Sequence, residues 1–192
     1  MANATISAEA LSLGPGKLSW APVGTALPTD HTTPLDPAFE EVGSTEEGSE
    51  FSYEITSDPI EVAESLDPLF YKTTGRNGTV SFAMAENTVR NLTLAFNGGT
   101  VATYGTGATA GFSYEPPEPG QEVARVLVFE SEDGEERWVF KQVTQGGSVS
   151  VARRKGADKA TIPVEFRLER PVDGSQPFKA FYADARSGGV TV

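Results

Sequence analysis

Short segments of alternating hydrophobic and polar residues dominate the chain, and this is the pattern of half-buried β-strands. The clearest alternations carry these apolar residues: Phe51, Tyr53 and Ile55; Val80, Phe82 and Met84; Ile162, Val164, Phe166 and Leu168. Weaker runs predict further strands at 17–23, 123–129, 137–143, 148–154 and 178–184. The pattern therefore predicts about eight strands.

One segment has helical periodicity instead. Apolar residues of one stripe fall at i, i+4, i+7 and i+11: Ala85, Val89, Leu92 and Phe96. Glu86 suits the first turn of a helix, and Gly98 suits a left-handed stop after its last turn. We predict one flanking helix at about 85–97 that packs this stripe on a sheet, in a mainly β (α+β) fold.

Proline and glycine mark the breaks between these elements. Pro22 favours an edge position for the first strand, and the proline-rich residues 24–38 indicate a long loop. Asp58-Pro59 predicts the end of a strand, followed by a short strand or loop. Residues 98–111 read as a Gly/Thr-rich link, and Asp133-Gly134 as a hairpin turn.

The 192 residues are enough for one domain with a core. We expect a flexible N-terminal arm at 1–13, a single domain at 14–183 and a C-terminal tail at 184–192. The beginning of the chain lacks the basic and apolar regions of a signal peptide, and no apolar run is long enough to span a membrane. The absence of cysteine excludes disulfides and points to synthesis in a reducing cytosol.

Negative charge is concentrated in one part of the chain. Between Lys17 and Lys72 there are twelve acidic residues and no lysine or arginine, while the other 15 acids are balanced by 15 bases. This segment is either a solvated face that promotes solubility, or a surface that repels polyanions or meets a basic neighbour. The clearest basic cluster is either a solvated turn or a patch that meets the acidic segment of a neighbouring subunit. Its residues are Arg153, Arg154, Lys155 and Lys159.

Candidate chemistry is sparse. The single histidine, His31, lies in a predicted loop, and neither a nucleophile-elbow motif nor a cysteine accompanies it. Acidic residues at a predicted hairpin tip lack the EF-hand spacing and are better interpreted as a solvated turn: Glu130, Glu132, Asp133, Glu135 and Glu136. We predict no catalytic site, no metal site and no cofactor, although a pair of carboxylates for hydrolysis stays open.

Three segments carry a family resemblance: GPGKLSWAPVGTALPTD at 14–30, STEEGSEFSYEITSDPIEVAESLDP at 44–68 and TTGRNGTVSFAMAENTVRNLTLAFNGG at 73–99. Their ordered motifs are a GPG-x-L strand, a proline-rich loop, an acidic VAESLDP segment and an N-L-x-x-A-x-NGG helix end. In this order they closely resemble the major tail-tube subunits of long-tailed, non-contractile phages that infect actinobacteria.

The resemblance implies a two-sheet, barrel-like β-sandwich with one flanking helix. It also implies hexameric rings that stack into a tail tube, synthesis in the host bacterial cytoplasm and a final location in the virion tail. The implied partners are a tape-measure protein, a tail terminator and distal tail proteins. Genomic DNA is expected to pass through the lumen without specific binding. No membrane role is implied for the chain.

Within this scheme, we expect part of the acidic segment to face the lumen or the junction between rings. The residues concerned are Glu46, Glu47, Glu50, Glu54, Asp58, Glu61, Glu64 and Asp67. The alternative function is a non-enzymatic β-sandwich module that binds carbohydrate or a cell surface. Such modules use aromatic platforms, whereas this chain offers only Trp20 and Trp138, of which Trp138 lies in a strand expected to be half-buried.

Overall fold

The computed structural model describes residues 12, 14–151, 153 and 159–186, and in them it shows ten strands and one α-helix. Single-turn 3-10 helices lie at Gly107–Thr109 and Asp184–Arg186. The elements are β1 (Lys17–Pro22), β2 (Glu40–Glu41), β3 (Thr45–Ile60), β4 (Phe70–Met84), α1 (Val89–Ala95), β5 (Thr100–Tyr104), β6 (Gly111–Glu115), β7 (Arg125–Glu130), β8 (Glu136–Gln145), β9 (Ile162–Leu168) and β10 (Phe178–Tyr182).

Eight strands form one antiparallel sheet in the order β2-β1-β7-β8-β9-β4-β3, with β10 also paired to β8. Strand β10 pairs with the first half of β8, at 136–140, and β9 pairs with its last residues, at 143–145. Strands β5 and β6 form a separate two-stranded sheet. These pairings confirm the predicted mainly β fold with two sheets and one helix.

The large sheet folds over on itself. Phe51 of β3 lies with its ring centroid 5.0 to 5.3 Å from those of Phe140, Trp138 and Phe178, which belong to β8 and β10. Because β3 is not a neighbour of β8 within the sheet, these contacts join two layers of a sandwich. Buried residues of both layers fill the core, among them Leu18, Val80, Met84, Leu127, Phe140 and Phe166.

The predicted loop after β1 covers the outer face of the sheet. Leu35 and Phe39 pack there on a second apolar cluster that includes Val128. Arg137, which is buried, fastens the loop because its Nη1 donates to the carbonyl oxygens of Asp30 and Thr33, both at 2.7 Å.

The helix is shorter than predicted. Thr88 caps α1 by accepting a hydrogen bond from the Asn91 N–H, and Asn97 with φ 57° already takes a left-handed conformation one residue before Gly98. The predicted stripe is correct only in part: Leu92 packs on the core, but the buried residues of α1 are Asn91, Leu94 and Ala95, and Phe96 is 38% exposed. The Asn91 amide takes an inward position because it donates to the carbonyl oxygens of Val42 and Glu86.

Several strand boundaries also differ from the prediction. Strand β3 continues through Pro59, which is tolerated because β3 is the edge strand of its sheet. Strand β4 begins at Phe70, and the predicted link 98–111 contains β5 and the start of β6. Residues 148–151 form no strand, although Val149 and Val151 pack on the core. The predicted flexible N-terminal segment, residues 1–13, lies largely outside the described residues, as do residues 187–192 of the predicted C-terminal tail.

Candidate assembly surface

The β3–β4 hairpin extends beyond the sandwich. Strand β9 pairs with β4 only along Thr79–Met84, so the outer parts of β3 and β4 pair with each other alone. We call residues 54–77, including the connecting turn, the arm. Within it, every residue except Pro68 and Gly75 is exposed. The arm is therefore a two-stranded ribbon whose two faces are both open to solvent.

The strand register gives these two faces different chemistry. One face pairs Glu54 with Asn77 and Asp58 with Lys72, and it continues the outward side of β3 that carries Glu50. We call this side, from residue 50 to residue 58 of β3 with its partners on β4, the acidic face. The opposite core-side face carries Ile55, Ser57, Pro59, Tyr71, Thr73 and Arg76, and it continues the line of Phe51 and Tyr53 from the core.

Large apolar side chains are exposed along the arm. Ile55 is 58% and Tyr71 is 68% exposed, although both follow directly from the apolar core side of the hairpin. Phe70 and Leu69 are also exposed, and Leu66 is fully exposed. Several large exposed apolar side chains within one short ribbon mark a candidate interaction surface.

The turn of the arm has its own hydrogen bonds. We call residues 61–69 the tip. Ser65 donates from its backbone N–H to the Val62 carbonyl oxygen at 3.2 Å and from Oγ to the Asp67 carbonyl oxygen at 2.8 Å. The Leu69 N–H closes the tip on the Ile60 carbonyl oxygen at 2.9 Å. These bonds leave the Leu66 side chain pointing into solvent.

The eight acidic residues predicted to face a lumen or a junction fall into three groups. Glu46 and Glu47 lie in an irregular stretch of β3 between Thr45 and Ser49. The second group occupies the acidic face at intervals of four residues, and the third lies on the tip. These two groups are Glu50, Glu54 and Asp58, and Glu61, Glu64 and Asp67.

Two of the four predicted basic residues belong to the described part of the chain. Lys159 Nζ lies 2.7 Å from Glu46 Oε2 of the same chain, and both side chains are largely exposed. Arg153 is exposed. Arg154 and Lys155 lie outside the described residues. One residue of the basic cluster, Lys159, therefore contacts the acidic segment within the same chain.

The acidic turn between β7 and β8 has a partner that the sequence analysis missed. Arg186, whose side chain is nearly buried, contacts the carboxylates of Asp133, Glu135 and Glu136. The pKa of Asp133 is lowered by hydrogen bonds from Ser131 and the Glu135 N–H, and by Arg186. Arg186 is 50 residues distant from Glu136 in sequence, so no local motif could have revealed this contact.

The two tryptophans and the metal-binding side-chain types are the remaining candidates for a ligand site. Trp20 is 7% exposed, and the Trp138 ring stacks on that of Phe178 at a centroid distance of 5.7 Å. Both tryptophans thus pack against their own chain, which disfavours the carbohydrate platform. Among the described residues, no group of three or more His, Cys, Asp or Glu side chains is placed to hold a metal ion.

An exposed ribbon that carries large apolar side chains, next to an open sheet edge, is the kind of surface through which β-proteins can pair with a partner. A family model described as phage tail tube protein matches residues 4–184, and the chain belongs to this family. It is accordingly a structural component of a virion tail. This assignment agrees with the resemblance noted in the sequence at the level of the tail tube.

Solved structures provide weaker similarities. The tube-terminating cap of the anti-feeding prophage is 10% identical over 95% of each chain, with a TM-score of 0.39. A chain in the virion of the native gene transfer agent particle is 13% identical over 78% of this chain and 92% of its own, with a TM-score of 0.28. Both TM-scores lie below 0.5, so the assignment depends on the family match. No curated protein sequence matches the chain, and no helix in the described residues is long and apolar enough to cross a membrane.

Proposed function

We propose that this chain assembles into hexameric rings that stack into the tail tube through which phage DNA is delivered. The observation that carries the proposal is the core-side face of the arm. Ile55 and Tyr71 extend the apolar side of the hairpin beyond the sandwich, where none of the described residues covers them. Burial of such a face is favourable in water, and a second copy of the chain would provide the cover.

The sheet edges support a ring. Strand β3 is an edge strand of 16 residues, and β10 pairs with β8 alone. Unpaired edges in a monomer promote uncontrolled association, whereas a closed ring pairs each edge with that of a neighbour. Contacts between successive rings join different surfaces of the same protein, so they repeat and form a tube.

We further propose that the acidic face lines the lumen. Glu50, Glu54 and Asp58 recur at every fourth position along one side of β3. Carboxylates on the wall of a narrow channel repel phosphates and would prevent the genome from adhering. A tape-measure protein, a tail terminator and distal tail proteins are the expected partners. A long, non-contractile tail on a phage of actinobacteria stays a prediction.

Assembly of the purified full chain tests the proposal. We expect rings with sixfold symmetry and hollow tubes in negative-stain micrographs as concentration increases. An Ile55→Glu/Tyr71→Glu variant should stay monomeric in sedimentation velocity because it places charge on the core-side face. A matched Thr56→Glu/Asn77→Glu variant, with its charges on the acidic face, should still assemble.

The unfolding midpoints of both variants should match that of the unmodified chain, since all four side chains are exposed. An unmodified chain that remained monomeric at every concentration would contradict the proposal. Normal tube formation by the Ile55→Glu/Tyr71→Glu variant would remove the role of the core-side face.

A further inference from the structure

A groove of about 310 Å³ lies at the root of the arm. Tyr53 and Gly78 of the hairpin and Leu168 at the end of β9 line its floor. A Cβ atom at position 78 would lie 2.9 Å from Leu168 Cδ2 and 3.0 Å from Tyr53 Cδ2. Glycine therefore lets these two apolar side chains pack directly against the backbone at the floor of the groove. We call this cavity the root groove.

The rim of the root groove is basic. Arg76 and Arg170 are exposed there, and neither forms an ion pair within the described part of the chain. Arg170 Nη2 makes one hydrogen bond, to the Gly174 carbonyl oxygen at 3.2 Å. The acidic residue on the rim, Glu169, accepts a hydrogen bond from Gln142 Nε2 at 2.9 Å. Two guanidinium groups thus remain available for carboxylates of a partner.

The tip has the complementary chemistry. Its fully exposed Leu66 lies among three exposed carboxylates, those of Glu61, Glu64 and Asp67, and the tip contains no lysine or arginine. None of these carboxylates has an ion pair among the residues that the structure describes. An apolar side chain surrounded by carboxylates matches an apolar groove flanked by guanidinium groups.

We propose that the tip of one copy binds in the root groove of a second copy. A tip cannot reach the groove of its own chain, because the strands between residues 54 and 60 hold the two apart by about 20 Å at roughly 3.3 Å per residue. The contact joins two different surfaces, so each bound copy still presents a free tip or a free groove and the contact repeats. This inference rests on the proposed self-assembly and specifies the surfaces that meet in it.

Cross-linking tests the contact directly, since the chain has no cysteine of its own. One full-length chain would carry Ala63→Cys on the tip, and another would carry Gln176→Cys beside the groove. A mixture of the two, treated with a short bismaleimide, should give a cross-linked dimer. A chain with Ser113→Cys, an exposed position on β6, should give none with the tip variant.

Charge exchange tests the specificity. Adding Glu61→Lys/Glu64→Lys/Asp67→Lys to the tip chain should reduce the cross-linking yield about tenfold, and so should Arg76→Glu/Arg170→Glu in the groove chain. The two reversed chains mixed together should recover most of the yield. As a control, Glu118→Lys/Glu122→Lys/Glu132→Lys in the tip chain changes the net charge by the same amount as the tip reversal. This control chain should cross-link to the groove chain with normal yield.

The absence of the dimer from the first mixture, or a yield that ignores both reversals, would overturn the tip-to-groove contact. Electron micrographs of the unmodified chain separate this result from the proposed function. Tubes without the cross-link would refute the contact and leave the tube in place. A cross-linked dimer without rings or tubes would support the contact and refute the tube.

Discussion

At the scale of single residues, Asn97 shows how a side chain can replace a peptide group. Its φ of 57° ends α1, and its amide bonds the backbone of Gln145 in both directions. Asn97 Oδ1 accepts from the Gln145 N–H at 2.7 Å, and Nδ2 donates to the Gln145 carbonyl oxygen at 2.8 Å. One asparagine therefore attaches the end of the helix to the end of β8.

We predict that Asn97→Ala lowers the free energy of unfolding by about 2 kcal/mol or more, because two hydrogen bonds are lost and alanine disfavours positive φ. Asn97→Gly should cost less, since glycine accepts that conformation without strain. Urea denaturation followed by tryptophan fluorescence measures both values. Equal costs for the two variants would show that backbone conformation contributes little at this position.

Asp30 gives the loop after β1 a dependence on pH. Hydrogen bonds from the Thr33 hydroxyl, the Thr33 and Thr32 N–H groups and the Thr32 hydroxyl hold the pKa of Asp30 well below its usual range. The unfolded chain then binds this proton more readily than the folded chain does. The stabilisation is present above the ordinary carboxyl pKa and decreases as pH falls below about 4.

In the Asp30→Asn variant we expect the unfolding midpoint to fall at pH 7 and to depend less on pH between about 5 and 2 than that of the unmodified chain. Thermal unfolding at several pH values measures this. Asp36→Asn is a suitable control, because that carboxylate accepts one loop N–H from Ala38. Parallel pH profiles for the Asp30→Asn and unmodified chains would contradict the assignment.

At the scale of elements, Tyr114 links the β5–β6 hairpin to the end of α1. The Tyr114 hydroxyl donates to the Gly98 carbonyl oxygen at 2.8 Å, and its ring lies 6.0 Å from that of Phe96. Phe112 on the same strand is 64% exposed. A two-stranded sheet has little stability alone, so this attachment determines whether the hairpin stays in place.

Tyr114→Ala should therefore release the hairpin without unfolding the sandwich. We expect backbone amides of 100–115 to exchange hydrogen much faster, while the amides of β7 and β8 keep their protection. Hydrogen-exchange mass spectrometry resolves the two regions. Phe112→Ala is the matched control and should leave both unchanged, and a uniform loss of protection across the chain would refute a separate hairpin.

The same elements show what the sequence could predict. Alternation located the core strands correctly, since Val80, Phe82 and Phe166 are buried by their own chain. It missed residues 70–78 of β4 and all of β2, β5 and β6, because these segments bury few side chains within the single chain. The sequence also predicts a break at Pro59, because proline is acceptable within a strand only at a sheet edge. The edge position of β3 depends on how the strands pair and cannot be seen in the sequence.

At the scale of the whole molecule, the acidic segment separates into two surfaces. The sequence located the charge between Lys17 and Lys72 but left a lumen and a ring junction equally open. The register of β3 with β4 places Glu50, Glu54 and Asp58 on one face, whereas the tip acids lie at the far end of the arm. Register depends on pairing between strands, so the sequence pattern alone could not make this division. We propose that the acidic face lines the lumen and that the tip contacts another copy.

The lumen assignment predicts a gain of DNA binding. Tubes assembled from a Glu50→Lys/Glu54→Lys chain in the presence of short duplex DNA should retain the DNA. Higher salt should release it, because lysines that bind phosphates displace counterions and such binding weakens as the salt concentration rises. Retained DNA should resist nuclease, since the tube wall would enclose it. Tubes of the unmodified chain should retain almost none, and tubes of a Glu118→Lys/Glu122→Lys chain should leave any bound DNA open to nuclease. If the Glu50→Lys/Glu54→Lys tubes excluded DNA as the unmodified tubes do, or held it where nuclease can cut, the acidic face would not line the channel.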